Sequence, residues 1–127
     1  MNYLVNGFSP KMQRYGNMTI IQEALSESEF IDLFNHGKFK SYIGHDELAR
    51  HLTRITGKTI TENRKEVKAG YDDLILIVSV AGRLPKRNKN IHYNGNLEFK
   101  LLRFEKPTLE DLLKTKRIIN DIIMEAI

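Results

Sequence analysis

The chain has 127 residues, 41% of them hydrophobic and 28% charged, with 20 Lys and Arg against 16 Asp and Glu for a formal net charge of +4. That is one ordinary globular domain, long enough to bury a core without staples, and the absence of cysteine excludes disulfides, thiolate metal sites and a cysteine nucleophile. No apolar run approaches the ~18 residues of a membrane span, and Met1-Asn2-Tyr3 lacks the basic and apolar pattern of a leader, so a cytoplasmic protein with acidic partners and no membrane contact is expected.

Met1–Val5 is short and apolar, and the turn chemistry of Asn6-Gly7 and Ser9-Pro10 ends a first strand near Val5. A second extended stretch covers Met18–Ala24, where Thr19, Ile20 and Ile21 are β-branched. Ser26 with Glu29 forms a capping box that opens a helix with the stripe Phe30, Leu33 and Phe34, stopped by Gly37. Phe39–Ile43 reads as a brief strand. Asp46–Thr56 is a helix with Leu48, Leu52 and Ile55 on one face and Gly57 at its end.

Glu62–Ala69 reads as a strand joined by a hairpin turn over Gly70-Tyr71-Asp72-Asp73 to Leu74–Ala81. The apolar run within Leu74–Ala81 predicts a central strand buried on both faces. Pro85–Asn96 reads as a loop and Leu97–Phe104 as another strand. Pro107-Thr108 opens a helix to the C-terminus, with Leu109, Leu112, Leu113, Lys116, Ile119, Ile123 and Ala126 near helical spacing and Ile118, Ile122 and Ile127 widening the face. So wide a face must pack on the domain or on another subunit. The expected fold is α+β, a mixed β-sheet of about five strands flanked by helices, with a domain over residues 1–104 and a helical extension over 105–127.

Histidine is the side chain that titrates near neutrality without perturbation. His45, in Ile43-Gly44-His45-Asp46, stands at the head of the second helix, where unpaired N–H groups favour a phosphate and an imidazole can hand it a proton. The plainer reading is that Gly44 permits a tight turn, Asp46 caps the helix and His45 is a surface residue. His51 reads as a solvated helix residue, His36 as complementing a helix dipole, and His92 is uninformative. No metal-ligand spacing occurs, so neither metal nor cofactor is implied. Arg64, after Asn63, and Arg83, after the apolar strand, can offer forked donors to phosphate or be solvated charges. The Gly7-Phe8-Ser9 turn supplies backbone N–H groups and a hydroxyl. Lys86–Lys89 is a basic rim or a soluble face.

Taken in order, Tyr3-Leu-Val-Asn-Gly-Phe-Ser-Pro-Lys-Met12, Ile43-Gly-His-Asp46, Asn63-Arg64…Val67-Lys68 and the apolar strand ending in Arg83-Leu84 resemble the viral type III anti-CRISPR ring nucleases, with a looser likeness at Gly95…Phe99. The resemblance implies a homodimer that binds cyclic tetra-adenylate across its two-fold axis and opens the ring without metal. It implies His45 as the essential histidine and Asn6, Ser9, Arg64 and Arg83 as ligand contacts, with Gly7, Phe8, Gly44 and Lys86 beside them. No duplex nucleic acid is implied. In that chemistry a ribose 2′-hydroxyl attacks its own phosphorus and expels a 5′-oxygen, leaving a 2′,3′-cyclic phosphate. The 5′-oxygen is a poor leaving group unless protonated, so one general acid is the main requirement.

One departure is clear. Where the family carries a glutamate after the strand-end arginine, this chain has Arg83-Leu84-Pro85-Lys86-Arg87. A cation there weakens an acidic imidazole and strengthens the hold on phosphate. That feature favours an alternative from another class, a cyclic-nucleotide sponge or sensor that does not turn over. A third reading is an interaction protein that works through the Pro107–Ile127 helix.

Overall fold

The computed structural model describes residues 1–80 and 96–126. Its centre is the apolar run already conspicuous in the sequence. Strands β1 (Asn2–Val5), β2 (Thr19–Leu25), β3 (Phe39–Tyr42), β4 (Leu74–Val80) and β5 (Leu97–Glu105) form one mixed sheet in the order β2-β5-β4-β1-β3. β1 runs parallel to both β3 and β4, while β5 runs antiparallel to β4 and β2. The architecture is the expected α+β one.

Side chains alternate across this sheet, so each strand feeds two cores. Leu4, Leu76, Val78 and Phe99 face one side, where helices α1 (Glu27–His36) and α2 (Asp46–Thr56) bring Phe30, Phe34, Leu48 and Leu52. The rings of Phe30 and Phe99 stack at 4.5 Å. Tyr3, Val5, Ile75, Ile77, Leu102 and Phe104 face the other side. Local signals set the helix ends as expected. Ser26 and Glu29 exchange hydrogen bonds at the start of α1, and Gly57 closes α2 in the left-handed region at φ 73°.

The second face explains a correction. Glu62–Ala69 is not a strand, and no hairpin joins it to β4. Both edges of β4 are already occupied, by β1 and β5, and its second face needs an apolar cover. The segment provides that cover with Val67 and Ala69, which pack into the second core. It touches strand geometry only at isolated bridges, Ile43 to Glu62 and Gln13 to Ala69.

His51 is also corrected. It is 6% exposed, on the face of α2 that carries Leu48 and Leu52 into the core. Burial pushes its imidazole below the ordinary histidine value, the nearby Arg54 adds to this, and Glu27 opposes it. The unfolded chain therefore holds this proton more tightly than the native one. Stability carried by neutral His51 is present above the ordinary value near 6.5 and is lost as pH falls towards the lower native value. Between about pH 7.5 and about pH 5, the stability gap between a His51→Leu variant and the wild type should shift in the variant's favour. Urea unfolding at the two pH values checks this, and a gap that does not move refutes it.

Helix α3 (Leu109–Glu125) follows β5 after a short connection and is capped by Thr108, whose hydroxyl accepts from the Asp111 N–H. None of its residues is buried. The expected packing of its apolar face against the domain is therefore absent among the described residues. No helix of the described residues is long and apolar enough to cross a membrane. Lys86, Arg83, His92 and most of the Pro85–Asn96 stretch lie outside the described residues.

Candidate functional site

Because β1 and β3 are parallel neighbours, with Val5 opposite Tyr42, the residues that follow them emerge side by side. Open sheets characteristically bind ligands outside the carboxyl ends of such strands. After β1 comes Asn6-Gly7, and after β3 comes Ile43-Gly44-His45. The two are tied directly, since the Gly44 N–H donates to Asn6 Oδ1 at 3.0 Å. The covering segment supplies the third part. The Asn63 N–H donates to the Ile43 carbonyl at 2.8 Å, and Asn63 Nδ2 donates to the Ser41 carbonyl at 3.2 Å. This strapping presents Arg64, whose Nε donates to the Gly44 carbonyl at 3.2 Å and to Glu62 Oε1 at 2.7 Å.

A side chain at position 44 would sit against these partners, with a Cβ meeting Asn6 Oδ1 at 3.6 Å and Arg64 Cγ at 3.7 Å. Asn6, Gly7, Gly44 and Arg64 thus line one open cavity of about 400 Å³. Lys11 and Lys65 add two ammonium groups, Glu66 a carboxylate and Tyr42 a phenol ring. The lining carries three cations and one carboxylate, which suits an anion.

His45 stands at the edge of this arrangement. It, and not Asp46, is the N-cap of α2: its Nδ1 accepts from the Leu48 N–H at 3.4 Å. Asp46 instead occupies the first helical position and pairs with Arg50 at 2.8 Å. The physical reason is backbone geometry. His45 has the extended conformation of a cap (φ −138°, ψ 116°), and a ring nitrogen can accept there as an Asp or Ser oxygen does. With Nδ1 engaged, Nε2 is the nitrogen left to meet a ligand. The capping contact also takes one of the first N–H groups of α2, and Asp46 and Glu47 place carboxylates in its first turn. The anion-attracting feature is therefore centred on the Asn6, Gly44 and Arg64 cluster more than on the helix end.

The other expected contacts divide. The Phe8 ring packs against Phe104 at 5.7 Å, which assigns it to the second core. Ser9 precedes a single 3-10 turn (Pro10–Met12), its carbonyl accepting from the Met12 N–H at 2.9 Å; that turn carries Lys11 to the cavity. Arg83 and Lys86 fall outside the described residues. Reading the residues alone missed Lys11, Tyr42, Lys65 and Glu66. The only available signal was the density of charge in Arg64-Lys65-Glu66. Among the described residues, no group of three His, Asp or Glu is placed to hold a metal ion.

Comparison with known proteins places this geometry in a wider setting. The family model described as STIV B116-like matches residues 2–93. The ORF116 protein of Acidianus filamentous virus 1 (isolate United States/Yellowstone) is 29% identical over 83 residues, covering 65% of this chain and 72% of its own length. The solved structure of B116 of Sulfolobus turreted icosahedral virus is similar with a TM-score of 0.67 and 25% identity, covering 80% of this chain and 97% of that one.

Proposed function

The chain belongs to the STIV B116-like family, and from that premise we propose that it is a ring nuclease that binds a cyclic oligoadenylate, cyclic tetra-adenylate foremost, and opens it without a metal, antagonising type III CRISPR signalling. The observation that carries this reading is the hydrogen-bonded cluster of Asn6, Gly44 and Arg64. Three separate segments converge on one basic cavity, with a histidine as the next residue in the chain.

In the proposed chemistry, Arg64, Lys11 and Lys65 hold a ribose phosphate. The 2′-hydroxyl gives up its proton to solvent as its oxygen attacks the adjacent phosphorus, and the bond to the 5′-oxygen breaks. His45, as an imidazolium whose Nδ1 has released the Leu48 N–H, gives that oxygen its proton from Nε2. A 2′,3′-cyclic phosphate remains on one side of the cut and a free 5′-hydroxyl on the other. Positioning the attacking oxygen, phosphorus and leaving oxygen in line supplies much of the acceleration, and the fixed cations stabilise charge on the phosphorane. A homodimer would present two such cavities to a ring that has its own symmetry.

One feature favours the alternative of a sponge or sensor. His45 caps α2 and does not line the cavity. Incubating the protein with cyclic oligoadenylates of several sizes in the presence of a chelator, then resolving the products, separates the readings. Linear products ending in 2′,3′-cyclic phosphate are expected. Stoichiometric recovery of intact ring after denaturation would replace the nuclease with the sponge, and failure to bind any ring would overturn both.

A further inference from the structure

The most prominent feature that the cavity leaves unexplained is the apolar face of α3. Leu109, Leu112, Leu113, Ile119, Ile122 and Ile123 are each between 37% and 72% exposed. Together they present on the order of 600 Å² of apolar surface, at the top of the ~300–600 Å² patch usual on a monomer and approaching the ~800 Å² per partner of a standard interface. The helix lies beyond residues 2–93, the part that matches the family.

The charge pattern selects the occupant. α3 carries three cations against four carboxylates, which argues against an anionic lipid surface or a nucleic acid. The face itself repeats at alternating spacings of three and four, with Leu109, Lys116 and Ile123 at one core position and Leu112, Ile119 and Ala126 at the other. Laid antiparallel against a copy of itself, the helix places Leu109 opposite Ala126, Leu112 opposite Ile123, and Lys116 opposite Ile119. Every layer is matched. The flanking positions are Leu113, Thr115, Asn120 and Ile122, all uncharged, so nothing there repels a second copy. Lys116 can run its methylenes along the seam and meet the Asn120 amide of that copy. A parallel pairing would set the two Lys116 ammonium groups face to face.

We propose that α3 is a self-association helix, and that two copies of this chain pair through it antiparallel. This goes beyond the reading of the cavity and does not depend on it.

The chain has no cysteine, so single cysteines can be introduced and spin-labelled without background. In the full-length protein, the antiparallel seam brings an Arg117→Cys pair within about 2 Å along the helix axis and separates a Glu110→Cys pair by about 22 Å. Pulsed dipolar spectroscopy should therefore give a distinctly shorter distance for Arg117→Cys than for Glu110→Cys. Adding Ile119→Glu and Ile123→Glu, both on exposed side chains, should lower the coupled fraction at least tenfold while the far-ultraviolet circular dichroism stays unchanged. Equal distances at the two positions, no dipolar coupling, or coupling that survives the two glutamates would each overturn the proposal. None of these variants touches the cavity, so failure here leaves ring binding standing, and failure of ring binding leaves this seam standing.

Discussion

Replacing His45 by asparagine should abolish ring opening while leaving ring binding almost intact. The choice of asparagine follows from the structure. His45 is both the proposed acid and the observed cap of α2, and alanine would confound the two by removing a cap worth about 1 kcal/mol. Asparagine is among the best capping residues and has no proton to give a leaving alkoxide. Loss of a general acid costs about 10²–10⁴-fold, so kcat should fall by that order. The dissociation constant of the ring should change only a few-fold, because Arg64, Lys11 and Lys65 are untouched. Single-turnover cleavage and equilibrium binding on the same preparation check this. Turnover equal to wild type would end the assignment of His45 as acid.

The second large effect is expected at Arg64, this time on affinity. Its side chain is 76% exposed, and the guanidinium is already engaged through Nε with Glu62 and the Gly44 carbonyl, which leaves the other two nitrogens for phosphate. Charged hydrogen bonds contribute about 1.5–3 kcal/mol each, so Arg64→Ala should weaken ring binding by about 10–100-fold. Arg64→Lys should recover only part of this, because an ammonium restores charge but not the planar fork. Titrations at low and high salt sharpen the test: the loss should shrink as salt screens the pair. Alanine binding as tightly as arginine would remove Arg64 from the site.

What the sequence revealed depended on how local the cause was. Ser26 with Glu29, Thr108 before α3, and Gly57 after α2 act within one helical turn, and all three lie where their residue types indicated. The apolar run at Leu74–Val80 reads as a buried strand because both of its faces are covered. Glu62–Ala69 misled because Val67 and Ala69 alternate like strand residues, whereas competition for the edges of β4 is a property of the whole sheet. His51 was legible and passed over: it lies three residues from Leu48 and four from Ile55, on the buried stripe. Asn6, Gly44 and Arg64 were identified through resemblance, but the Gly44–Asn6 bond comes from the parallel pairing of β1 with β3 and the Arg64–Gly44 bond from the strap at Asn63. Lys11 and Lys65 belong to the same cavity because a turn and a covering strap converge there, which no spacing announces.

Pairing Glu62 with Arg64 has a consequence for any anion that arrives. The guanidinium already pairs with a carboxylate two residues away, so an incoming phosphate meets an internal anion in competition for it. Weakly charged metabolites would lose that contest, and a cyclic oligonucleotide with several phosphodiester charges, able to engage several cations at once, would win it. On the proposed reading, the carboxylate would set a selectivity threshold by valence.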